Sequence, residues 1–204
     1  MGFDKALLEL GGVRLVERAV SIMKALCGNI LISGSNPDLE YLGYPLVRDE
    51  HRGIGPIAGL HAAMRYCRTA RSLVIPCDAP LVTVDVFERL YAKAREGHPP
   101  AVVAGTTDGF IEPLIGCYDI SALPVIEEQI SRKDHKLHNA LTRMGAEVEI
   151  FRDRRKFLNI NTKADIRAIG DIPEIGESDE DKRDVADGAP RRKNNALAAR
   201  ARAG

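Results

Sequence analysis

Ser72-Leu73-Val74-Ile75-Pro76-Cys77-Asp78-Ala79-Pro80 is the stretch that decides how this chain folds. An apolar run with the length of a buried strand stops at Pro76, because proline cannot donate to a strand ladder. One carboxylate, Asp78, is left at the carboxyl end of that strand. Ligands of open α/β sheets bind along this edge. A strand-end aspartate suits a hard divalent cation held beside nucleotide phosphates. It suits a helix N-cap as well, since Ala79-Pro80 leads toward a helix.

Working outward, apolar runs and amphipathic segments alternate. Lys5 to Leu10 is a short apolar run turned by Gly11-Gly12. Val16, Ala19, Val20, Met23, Leu26 and Cys27 recur at helical spacing, and Gly28 stops the helix. Asn29 to Ser33 reads as a buried strand, and Leu46-Val47 as a short second strand ending at Arg48-Asp49. Gly53-Ile54-Gly55-Pro56 opens a helix toward Arg68, with Pro56 in its first turn and Ile57, Leu60, Ala63, Met64 and Cys67 inward. After the opening strand the pattern predicts a helix over 84–96 and strands over 101–104 and 111–118. The second of these is interrupted by Pro113 and is apolar except for Glu112. Helices over 121–131 and 135–144 follow, then strands over 148–151 and 157–160, and a last helix capped by Asn161-Thr162. This alternation predicts an α/β fold with a mostly parallel sheet covered on both faces. Residues 1–170 are expected to form one domain. Residues 171–204, with the acidic block Glu177 to Asp181 and the basic Arg191-Arg192-Lys193, are expected to be a disordered charged tail.

Composition removes several function classes. Among 204 residues, Lys plus Arg and Asp plus Glu are equal at 29 each, so net charge gives no pull toward nucleic acid or an acidic membrane. Aromatic residues are 5% with no Trp, too few for a base-stacking platform. The cysteines, Cys27, Cys67, Cys77 and Cys117, form no Cys-x-x-Cys pair, which leaves no zinc-ribbon or thioredoxin-like motif. Without a signal peptide or a long apolar span, they read as reduced cytoplasmic thiols. His135-Lys136-Leu137-His138 reads as a solvated helix face rather than a metal site.

Ser33, Asp49 and Asp78 each end a strand on one sheet edge, beside the Gly53 to Gly59 turn. A nucleotide pocket and three separate loop caps both fit that spacing. The ordered text carries more. Met1-Gly2-Phe3-Asp4-Lys5-Ala6-Leu7-Leu8, Gly55-Pro56-Ile57-Ala58-Gly59, Pro76-Cys77-Asp78-Ala79-Pro80 and Asn159-Ile160-Asn161-Thr162 follow one another in a pattern that resembles the molybdenum cofactor guanylyltransferase family. The resemblance spans residues 1–168. Gly-Pro-x-Ala-Gly with Pro-Cys-Asp-x-Pro points to the molybdopterin branch of the nucleotidyltransferase superfamily.

The resemblance implies a doubly wound nucleotidyltransferase fold that moves GMP from GTP to molybdopterin, releases pyrophosphate and uses Mg2+. It implies Lys5 and Asp78 as catalytic residues, Lys5 on the triphosphate and Asp78 on magnesium. Asp49 would contact guanosine and Ser33 would lie near the nucleotide. Gly55, Pro56 and Gly59 would shape the nucleotide loop, and Asn161 would lie near the metal or the pterin. Arg132, Lys133 and Lys136 either meet the pterin phosphate or form a solvated helix junction. The implied partners are GTP, molybdopterin and molybdoenzyme-maturation proteins, with no nucleic acid and no membrane. Cytidylyl or other nucleotidyl transfer, and an inactive nucleotide-binding remnant, are the alternatives. Family members begin with a strand that runs into Leu-Ala-Gly-Gly and then Arg-Met-Gly, whereas this chain begins at the Met-Gly. The expectation is that translation starts upstream of Met1, and that without the upstream segment the sheet lacks its first strand and most of the glycine-rich loop.

Overall fold

The Gly11-Gly12 pair takes positive φ values of 62° and 76°, which side chains with a Cβ resist. It folds β1 (Glu9–Leu10) back on β2 (Val13–Arg14), just after a single 3-10 turn over Lys5–Leu7. The structure is a computed structural model that describes residues 4–51, 53–160, 162 and 165. Asn161, the remainder of the last expected helix and the expected tail over 171–204 lie outside the described residues.

Helix α1 (Leu15–Leu26) buries Leu15, Val16, Ala19, Ile22 and Met23 on one stripe. Its entry is fixed by the Arg14 amide, which donates to the Glu17 carboxylate at 3.0 Å. β3 (Ile32–Ser33) and β4 (Leu46–Val47) then form a parallel two-stranded sheet. The strand expected over 29–33 is therefore shorter than its apolar text, and none of its residues is fully buried. Helix α2 (Pro56–Tyr66) starts from Gly55 at φ 85°, with Pro56 in its first turn as expected.

β5 (Arg71–Val74), α3 (Val84–Gly97), β6 (Ala101–Thr106), β7 (Ile111–Asp119), α4 (Leu123–Ser131), α5 (Leu137–Met144) and β8 (Glu147–Phe151) complete the order. The main sheet runs β5-β7-β6-β8. β7 is antiparallel to both neighbours, while β8 is parallel to β6. The sheet is thus mixed, and the expectation of a mostly parallel sheet is corrected. The link between β6 and β7 is too short for a crossover and turns through Gly109 at φ 85°, so the two strands can only form a hairpin.

β6 is buried at every position, because both faces of the sheet are covered. Val102 and Ala104 pack with Val86, Phe87 and Leu90 of α3 and with Ile22 and Met23 of α1. Ala101 and Val103 pack on the opposite face with Ile57, Leu60 and Met64 of α2, Ile126 of α4 and Leu141 of α5. Among the described residues, no helix is long and apolar enough to cross a membrane.

The strand expected over 157–160 is absent among the described residues. A 3-10 turn over Arg154–Phe157 leads into a segment outside any ladder. Its apolar residues serve as plugs: Phe157 packs edge-on against Phe151, and Ile160 is fully buried. Beyond it, the Thr162 amide donates to Asp165 at 2.7 Å and the Asp165 amide donates to Thr162 Oγ1 at 3.3 Å, a reciprocal pair of hydrogen bonds.

Candidate functional site

Two groups of side chains meet at the strand ends. The first gathers around Ser33, at the exit of β3. Its hydroxyl lies 3.0 Å from the Gly59 carbonyl in α2 and 3.2 Å from Asp49 Oδ1, beyond β4, so one proton is shared between two acceptors. The contact needs a glycine at 59. A Cβ there would sit 3.1 Å from Ser33 Oγ and 3.6 Å from Asp49 Oδ1. Ser33, Asp49 and Gly59, distant in sequence, are thus brought together, and Gly55 and Pro56 open the same helix.

The second group is built on Asp78. Lys5 Nζ lies 4.0 Å from Asp78 Oδ2. Burial pushes the half-buried Asp78 carboxyl up from its ordinary value, against the pull of the Lys5 charge. Ile160 is one link between the two segments. Its side chain is buried among Leu8, Leu10 and Leu15, next to the Lys5 turn, while its amide donates to the Asp78 carbonyl at 2.7 Å. The same short segment carries Asn159, whose Nδ2 reaches Glu112 Oε2 at 3.4 Å.

Glu112 is a site residue that the sequence reading did not assign. It stands on β7 where the ladder breaks. Val103 pairs with Gly116 but Ala104 pairs with Glu112, so residues 113–115 bulge out of register. The bulge is held from both sides. The Leu114 amide donates to Glu112 Oε1 at 3.2 Å, and the buried Tyr118 hydroxyl donates to the Pro113 carbonyl at 2.6 Å. Burial pushes the Glu112 carboxyl up, its hydrogen bonds from Leu114 and Asn159 oppose the shift, and the charge of Asp78 adds to it. Its signal in the sequence was being the single charged residue in the run Ile111 to Tyr118.

Two carboxyls raised by burial, one of them also by the other's charge, describe a corner that gains from a cation. Carboxylate oxygens are the donors a hard divalent ion takes, so the residues present fit magnesium. The neighbouring thiol is not a competing ligand, because burial pushes Cys77 up to about 12 and keeps it protonated. All four cysteines are free thiols, and burial pushes Cys117 up to about 11.

One apolar cluster connects the two groups: Ala6 and Leu7 pack with Ile32, Leu46 and Cys77. Of the basic residues near 132–136, the Arg132 guanidinium is engaged by Glu128, one turn back on α4.

The chain matches the model of the MobA-like NTP transferase domain over residues 1–148. A probable molybdenum cofactor guanylyltransferase of Carboxydothermus hydrogenoformans is 31% identical to it over 172 residues, 81% of this chain and 86% of that protein. Among solved structures, molybdopterin-guanine dinucleotide biosynthesis protein A from Archaeoglobus fulgidus superimposes with a TM-score of 0.69 at 25% identity, covering 82% of this chain and 89% of that one. The 2-C-methyl-D-erythritol 4-phosphate cytidylyltransferase of Thermus thermophilus shares the fold with a TM-score of 0.63 at 14% identity, covering 81% and 91% of the two chains.

Proposed function

This chain belongs to the MobA-like NTP transferase family, and we propose that it transfers GMP from GTP to the terminal phosphate of Mo-molybdopterin, forming the guanine dinucleotide cofactor. The observation that carries this reading is the strand-end pairing of Lys5 with Asp78, in a chain 31% identical to a probable guanylyltransferase over most of both lengths.

In this reaction an oxygen of the pterin phosphate forms a bond to the α-phosphorus of GTP. The bond from that phosphorus to the bridging oxygen breaks, and pyrophosphate leaves with the electron pair. The nucleophile is already an anion, so no strong general base is needed. Positioning and charge neutralisation supply most of the acceleration. Lys5 sets a compact positive charge against the triphosphate. Asp49 offers carboxylate oxygens to the donor edge of guanine, and Ser33 holds that carboxylate in place. Asp78, with Glu112 behind it, would hold Mg2+. When bound, the ion neutralises charge on the phosphate oxygens. Asn159, hydrogen-bonded to Glu112, fixes the orientation of the second carboxyl. The free thiols suit a reducing compartment, and the cytoplasm is the location that fits them.

The test is Asp78→Asn, assayed for pyrophosphate release with GTP, Mg2+ and Mo-molybdopterin. Losing one electrostatic contact of this kind costs about 3–4 kcal/mol, a hundredfold or more in rate. The variant should lose that much while its circular dichroism stays that of the parent. Transfer at the parent rate would overturn the role of Asp78. Equal turnover of CTP by the parent would move the reading to cytidylyl transfer.

A further inference from the structure

A second cluster of ligating side chains begins at the residue after Asp49. The loop leaving β4 carries Glu50 and His51, and α2 carries His61 shortly after Gly59. One ligand atom from each of the three lies within 4.8 Å of the others. The His51 and His61 rings are 5.1 Å apart between centroids and tilted by 53°, so they are not stacked.

His61 is the informative member. It is only 2% exposed, yet its Nδ1 has no hydrogen-bond partner among the described residues. Buried polar nitrogens are rarely left so, because the lost hydration goes uncompensated. Its other nitrogen, Nε2, faces the Glu127 carboxylate of α4 at 3.6 Å. At that distance the contact is electrostatic rather than a hydrogen bond, and a carboxylate on this side favours the tautomer that keeps the lone pair on Nδ1, the arrangement of metal-ligating histidines.

From this geometry we propose that Glu50, His51 and His61 bind a divalent transition-metal ion of the zinc class, with Glu127 as the positioning residue for His61. Two imidazoles and one carboxylate are a donor set that zinc accepts while keeping a further position open. Magnesium is disfavoured by the nitrogen donors. The site is distinct from the Asp78 corner and does not rest on the guanylyl-transfer reading. An ion here would tie the loop that follows Asp49 to the helix that presents Gly59. Arg65, one turn beyond His61, sits 3.2 Å from Glu50 Oε2 and competes with the cation for that oxygen.

The test is a Co2+ titration of the full chain in excess Mg2+, followed by visible absorption. The expected result is a single equivalent with d–d bands, no thiolate charge-transfer band and displacement by Zn2+. His51→Ala and Glu50→Gln should each weaken binding by about tenfold or more, and Glu127→Gln by about 10–100-fold. Arg65→Gln should tighten it, and the His135→Ala/His138→Ala double variant should leave it unchanged. His51 is half-buried and Glu50 exposed, so these variants keep the fold, and circular dichroism checks it. No saturable binding, a thiolate band, displacement by Mg2+, or parent affinity in His51→Ala would overturn the proposal.

Discussion

Replacing Gly59 with alanine should leave the protein at least as stable while weakening its hold on GTP. Gly59 lies inside α2, and no positive φ constrains it. A helix-interior Gly→Ala change contributes about 1 kcal/mol of stability through backbone entropy alone. Against this, the new Cβ meets Ser33 Oγ at 3.1 Å, so the hydroxyl must give way by a few tenths of an ångström. The hydroxyl is solvent-exposed and water can take over its lost contact, so the offset is at most about 0.5–1 kcal/mol. The net effect runs from neutral to a gain. Binding follows a different course. Asp49 loses its orienting partner, and the Cβ stands 3.6 Å from its Oδ1. A misplacement of about 1 Å costs roughly a hundredfold, so a few tenths should cost about three- to tenfold. That loss should appear in KM for GTP with kcat little changed, because the Lys5–Asp78 corner is untouched. Thermal melts and pyrophosphate release at varied GTP measure the two effects separately. A lower Tm with an unchanged KM would refute the reasoning and make Gly59 a packing residue.

Two further outcomes follow from the Glu112 bulge and the raised carboxyls. Tyr118→Phe removes the hydroxyl that satisfies the Pro113 carbonyl and should cost about 1–3 kcal/mol in a urea melt. It should also raise the Mg2+ concentration needed for activity, because it loosens the bulge that presents Glu112; an unchanged Mg2+ requirement would limit the residue to a structural role. For pH, the folded Asp78 carboxyl binds its proton more tightly than the unfolded one, so its ionisation disfavours the native state. Without added metal, the destabilisation is absent below the ordinary carboxylate value, grows as pH rises through the raised value and is fully present above it. Asp78→Asn should therefore be more stable than the parent at neutral pH in chelator, with the difference vanishing in acid. A variant less stable than the parent at neutral pH in chelator would show that the Lys5 pairing outweighs burial.

The amphipathic helices were legible because a 3.6-residue apolar stripe is local information, and α1, α2 and α3 lie close to where that stripe placed them. The mixed sheet was not. The alternation of strands and helices says nothing about the direction of β7, which is set by the short Gly109 turn. Phe157 and Ile160 read as a strand because apolar spacing does not distinguish a ladder from two plugs in separate clusters. At the site, Lys5, Ser33, Asp49, Gly59 and Asp78 stood out through the order of short motifs, and the fold brings them together in two groups. Glu112 and His61 stayed hidden for a shared reason. One is aimed by a bulge whose register depends on Tyr118, the other by the seating of α2 against α4. Neither arrangement is written within a few residues of the side chain it positions.

The amide that satisfies the Asp78 carbonyl belongs to Ile160, near the far end of the described chain. A contact so long in sequence closes late, since its loop entropy must be overcome before it contributes. A nascent chain emerges from its N-terminal side first, so Lys5, the hairpin and the Asp78 strand are all made before their keystone exists. Until Ile160 arrives, Leu8, Leu10 and Leu15 lack their fourth apolar member and the Asp78 carbonyl lacks its donor. The order of synthesis thus leaves the corner of Lys5 and Asp78 without this cross-link until residue 160 has been made.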